Sequence, residues 1–75
     1  METRLQGVIE DILGSEAPAV ELNVKTSSTW DSLNHLNLIL AIEEEFEIEI
    51  APEDFPTLHS NYAVILDFIK HRLEQ

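Results

Sequence analysis

The run "DSLNHLNLILAIEEEF", Asp31 to Phe46, has more apolar side chains than a single helix face requires. Leu38, Ile39, Ile42 and Phe46 recur at helical spacing and define one face. Leu33, Leu36 and Leu40 form a second stripe, turned from the first by part of a turn. A surface helix needs only one apolar face. The second stripe is therefore either deeper core or a docking surface. Asn34, Asn37, Glu43 and Glu44 border it, as polar residues rim an interaction patch. Asp31 is a good N-cap, with Ser32 at the first helical position.

The other segments supply what this helix must pack against. In "TRLQGVIEDILG", Leu5, Val8, Ile9, Ile12 and Leu13 fall on one stripe. Thr3 and Gln6 have capping-box spacing, and Gly14 suits the position just past the end. The stretch "SEAPAVELNVKTSST" lacks that period, and Val20, Leu22 and Val24 alternate with polar residues. A hairpin with "EIEI" is disfavoured, because an isolated two-stranded pairing is marginal in water. The segment reads as a long loop pinned by those apolar side chains. Pro52 and Pro56 predict a short helix, with Phe55 and Leu58 as anchors. The last helix reads from a Ser60 N-cap, with Tyr62, Ile65, Leu66, Ile69 and Leu73 buried. The predicted fold is all-α: a small four-helix bundle of three main helices, one short helix and a long first loop. It occupies residues 1–75 as a single domain.

A chain of 75 residues buries only about 60% of its unfolded surface. Its core supplies roughly 3–5 kcal/mol of net stability. A deep catalytic pocket does not fit in that volume, so the expectation is a binding module and not an enzyme. The net charge is -11, from 15 acids against four Lys and Arg. From Thr26 to Ile69 nine acids fall without one Lys or Arg. Phosphate backbones would be repelled, which argues against nucleic acid. Basic patches on partner proteins would be attracted. No cysteine is present, so the fold uses no disulfide or thiolate metal site, in keeping with a cytoplasmic protein. No apolar run reaches membrane-spanning length.

Asp31, Ser32 and His35 resemble a catalytic triad in composition only. A triad needs an oriented base, an oxyanion hole and a cleft, which one helical turn does not supply. His35 is expected to be exposed beside Ser32. His59 and His71 show no ligand spacing, and Glu43, Glu44 and Glu45 point in successive directions, so no metal site is expected. Trp30 reads as a loop anchor. Ser32 has a distinct physical use. A helix N-terminus presents free N–H groups and partial positive charge, which would stabilise a phosphate ester formed there. A plain capping role competes with that reading.

"DSL" opening an apolar helix that runs into "EEEF" resembles the attachment motif and recognition helix of acyl carrier proteins. Length, acidity, long first loop, short third helix and final helix match across nearly the whole chain. The resemblance implies that Ser32 bears 4'-phosphopantetheine, delivered from coenzyme A by a holo-acyl-carrier synthase or other phosphopantetheinyl transferase. It implies that Asp31 and Leu33 belong to the motif this transferase reads. Leu36, Leu40, Glu43 and Glu44 match positions contacted by acyl-loading and acyl-processing enzymes with basic patches. Leu38, Ile42 and Phe46 would line the region where an acyl chain tucks. The chain departs from the pattern at Thr29, where the family often has glycine, and at Asn34 and Asn37, often acids. Trp30 before the motif is more similar to stand-alone carriers of specialised pathways. The implied function is a monomeric carrier of acyl thioesters in fatty-acid, polyketide or other specialised biosynthesis. The alternatives are a peptidyl or aminoacyl carrier and an unmodified acidic helical adaptor.

Overall fold

The computed structural model describes residues 2–14 and 18–74. Four α-helices follow one another as α1 (Glu2–Leu13), α2 (Ser32–Phe46), α3 (Phe55–Leu58) and α4 (Tyr62–Glu74). Two single 3-10 turns join them: Ala19–Glu21 in the first loop and Pro52–Asp54, which runs straight into α3. Among the described residues no strand forms. The alternating stretch makes only one antiparallel bridge, Asn23 to Asn61.

The apolar period of α1 buries Leu5, Ile9 and Leu13, with Val8 and Ile12 half-buried at the flanks. Gly14 ends the helix at φ 84°, a left-handed conformation that its missing Cβ permits. The Thr3–Gln6 capping box is not formed. The helix already includes Glu2 and Thr3, and the Gln6 amide donates instead to the Tyr62 hydroxyl at 3.4 Å. α1 packs chiefly on α2, where Leu38, Ile39 and Ile42 are sealed. Leu58 of α3 and Ile65 and Ile69 of α4 close the same core.

Three details of the predicted core and caps are corrected. Val20 is 53% exposed, and the adjacent Ala19 is buried in its place because the 3-10 turn rotates Val20 outward. The cap of α4 is Asn61, whose Oδ1 accepts the Val64 N–H at 3.0 Å. Ser60 is drawn off: its hydroxyl donates to the Thr57 carbonyl and its own carbonyl accepts the Val24 N–H. On α4 the buried face ends at Ile69, so Leu66 is half-buried and Leu73 exposed.

The first loop is secured where it meets the helices. Tyr62 N–H donates to the Leu22 carbonyl at 3.1 Å, and the Thr29 hydroxyl donates to the Leu13 carbonyl at 3.0 Å. Trp30 is buried, as its reading as an anchor requires. These contacts deliver the chain to the start of α2 in one orientation.

Candidate functional site

The start of α2 is built by its cap. The Asp31 carboxylate accepts the Asn34 N–H at 2.9 Å, and the Asn34 amide donates back to the Thr29 carbonyl at 2.7 Å. This fixes the loop-to-helix turn from both sides. Ser32 follows as the first helical residue and is exposed. No described residue hydrogen-bonds its Oγ, and the N–H groups of Ser32 and Leu33 have no acceptor within the helix. Ser32 stands at the lip of a groove of about 330 Å³ whose walls are His35, Leu36, Phe55, Pro56 and His59. An open hydroxyl, free backbone donors and an adjoining mainly apolar groove fit a phosphodiester continuing into a slender chain.

His35 is not exposed as the sequence led one to expect; it is 5% exposed. Its Nδ1 accepts the indole N–H of Trp30 at 3.0 Å. Indole nitrogen can only donate, so Nδ1 must be unprotonated. Nε2–H therefore donates to the Phe55 carbonyl at 2.7 Å. That carbonyl is available because His59 N–H closes α3 on Pro56 instead. The His59 ring stacks on His35 with centroids 4.4 Å apart and meets Trp30 edge-on at 4.8 Å. Its Nε2–H donates to the Trp30 carbonyl at 2.8 Å. Burial holds His35 below the ordinary 6.5, and the charge of His59 adds to that; the bond to Phe55 works the other way. Sequence reasoning missed this cluster. The signal available was the burial-prone Trp30 five residues before a histidine on the same side of the turn.

The second leucine stripe is surface. Leu33 is 69% exposed, Leu40 52% and Leu36 42%, whereas Leu38, Ile39 and Ile42 are sealed. The acids beyond it differ among themselves. Glu43 accepts the Ile50 N–H at 2.8 Å, so one of its oxygens is engaged. Glu45 takes Arg4 at 2.7 Å, and the guanidinium also lies 5.1 Å from the Phe46 ring. Glu44 is exposed. A second groove of about 350 Å³ lies between α1 and α2, rimmed by Asp11, Glu44 and Glu45; it includes none of the residues around Ser32. Among the described residues no cluster of three or more metal-ligating side chains forms. No described helix is long and apolar enough to cross a membrane.

Curated proteins align in sequence with most of this chain, two of them along nearly their own full length. The chain is 35% identical over 72 residues to an acyl carrier protein of Guillardia theta, covering 93% of this chain and 88% of that one. It is 34% identical over 74 residues to an acyl carrier protein of Buchnera aphidicola subsp. Schizaphis graminum, covering 96% and 92%. The chain belongs to the acyl carrier protein family. As a member of that family it has a carrier-protein role. A further similarity, 40% over 55 residues, is to the signaling protein YkoW of Bacillus subtilis strain 168; the match spans 73% of this carrier but 7% of YkoW. No protein-family profile matches the chain, and no solved structure does.

Proposed function

We propose that this carrier is modified on Ser32 with 4'-phosphopantetheine taken from coenzyme A, and that it presents acyl groups as thioesters to a succession of enzymes. The observation that supports this most directly is the exposed, unbonded Ser32 hydroxyl at the head of α2 beside the groove. The Ser32 oxygen would displace the adenosine bisphosphate part of coenzyme A at phosphorus, giving up its proton to a base of a separate transferase. The bound group would supply the thiol that the chain itself lacks. The N–H groups of Ser32 and Leu33, with the dipole of α2, would steady the resulting phosphodiester anion. Asp31 would keep the turn in shape for the transferase, and Leu33 would offer it an apolar contact.

Leu36 and Leu40 would be the apolar contacts for acyl-loading and acyl-processing enzymes, with Glu43 and Glu44 steering basic patches toward them. Such contacts are small and release quickly, which a shuttle between enzymes requires. The acyl chain would enter the bundle against Leu38, Ile42 and Phe46. The pathways that fit are fatty-acid, polyketide or other specialised biosynthesis, with the carrier acting as a single monomeric domain in the cytoplasm.

The test is intact-mass analysis after incubation with coenzyme A and a phosphopantetheinyl transferase. The wild type should gain the mass of phosphopantetheine. Ser32→Ala should melt at an unchanged temperature and gain nothing. A modified Ser32→Ala chain would show that the attachment point lies elsewhere. A wild type that stays unmodified would favour an acidic adaptor.

A further inference from the structure

His35 links three pieces of chain around the attachment turn. It belongs to α2, one turn after Ser32. One ring nitrogen holds Trp30 of the preceding loop, and the other holds the Phe55 carbonyl at the start of α3. Ser32, His35, Phe55 and His59 all border the same groove. The ring thus ties the helix that presents the hydroxyl to the opposite wall of the groove.

Both bonds need a single form of the ring. With Nδ1 protonated, two N–H groups would face each other across the 3.0 Å now spanned by the Trp30 bond. A cation there would also lie against His59, stacked 4.4 Å away, whose own Nε2–H is committed to the Trp30 carbonyl. The cluster therefore has no arrangement that accommodates a charged His35 with its present partners. Among titratable groups His59 is the one whose charge acts on the ring. The carboxylates of the packed segments are Asp31 in the loop before α2 and Glu53 and Asp54 in the turn before Phe55; none of them hydrogen-bonds the ring, whose partners are Trp30 and Phe55. Only the bond to the Phe55 carbonyl favours the charged form, and burial outweighs it.

We propose that His35 is a positioning residue for Ser32: in its neutral Nε2–H form it clamps Trp30 and Phe55 about the attachment turn, and protonation releases the clamp and loosens the groove. The functional half of this rests on the carrier reading of Ser32; the clamp itself does not. Modification of Ser32 then depends on the ionisation of a side chain that forms no bond with the Ser32 hydroxyl.

The test combines NMR on the unmodified full chain with modification kinetics. Nitrogen chemical shifts of the wild type should show His35 protonated at Nε2 and bare at Nδ1 at neutral pH. Trp30→Phe removes the donor that holds Nδ1 bare, so the His35 pKa should rise by roughly one unit, the worth of one hydrogen bond. Kinetics then compare the wild type with His35→Gln, which keeps a donor for Phe55 and cannot ionise, using the same transferase and coenzyme A at each pH. The transferase's own pH profile cancels in that ratio. The wild-type rate relative to His35→Gln should fall, by up to roughly tenfold per unit, below the His35 pKa as the neutral fraction falls. A proton on Nδ1, or a His35 pKa unmoved in folded Trp30→Phe, would overturn the clamp. Should Trp30→Phe not fold, the wild-type tautomer decides that point alone. A flat ratio across the His35 pKa would overturn the link to Ser32. A wild type that gains no arm at any pH would refute the carrier reading, and the NMR measurements would still decide the clamp.

Discussion

The two ends of α2 are held by different forces. At the Ser32 end, an uncharged histidine is sealed against an indole and a backbone carbonyl, and every partner is fixed in direction. At the far end, Glu43, Glu44, Glu45 and Glu47 crowd together, with Arg4 reaching one of them from α1. Buried neutral hydrogen bonds are insensitive to salt but fail when a proton arrives. Exposed charges are screened by salt and ignore pH until the carboxylates titrate. One helix thus has a rigid end and an electrostatic end; in the proposed carrier the first would present the Ser32 hydroxyl and the second would steer partners. The Arg4–Glu45 pair hardly alters this contrast, because both partners are about half exposed and such pairs contribute at most ~1 kcal/mol.

The largest expected effect comes from emptying the rigid end. Trp30→Ala should cost about 3–5 kcal/mol, the usual range for truncating a buried aromatic. That equals the net stability of a chain this size, so the variant should show no cooperative melt by circular dichroism. A variant that melts like the wild type would mean the cluster does not organise the start of α2.

The pH dependence should be smaller. The His35 pKa is depressed on folding, so its stability contribution is complete above the ordinary 6.5. It is lost as pH falls from there through the lower folded value, because the unfolded chain binds the proton more readily. His71 has the opposite sign: the Asp67 carbonyl and carboxylate raise it, so its contribution is present below 6.5 and lost as pH rises past its folded value. His71 is fully exposed and the weaker of the two. Denaturant melts should therefore lose stability on acidification through that window. His35→Leu should flatten the loss and lower stability at neutral pH by about 1–3 kcal/mol, since Trp30 and Phe55 are left unpaired.

At the electrostatic end, Glu47 takes φ 55° as the C-cap of α2, a left-handed conformation costly for any residue with a Cβ. Glu47→Gly should stabilise by about 1 kcal/mol, read as a raised midpoint in urea. The smallest effect is that of salt. Raising ionic strength or adding magnesium should lift the melting temperature by a few degrees as the acids are screened. It should leave the pH-dependent step in place. A salt response that vanished together with the pH step would merge the two ends into one system and break the comparison.

Much of this protein could be read before any fold was known. Helical spacing located the three main helices and two prolines the short one, Asp31 declared where α2 begins, and Gly14 where α1 ends. These are local properties, decided by a few neighbouring residues and by backbone sterics. Other features waited on packing. Periodicity defines two apolar stripes on α2 but not which one neighbours will cover; burial of Leu38 and Ile42 and exposure of Leu33 and Leu40 settled that. The cap of α4 moved from Ser60 to Asn61 because Ser60 found partners in Thr57 and Val24. His35 shows the limit most clearly. Its partners lie five residues before it and twenty after, and only the folded chain brings an indole donor and a freed carbonyl to the two sides of one ring. Local sequence specifies which groups a residue offers, whereas the close approach of distant segments decides which of those groups are met.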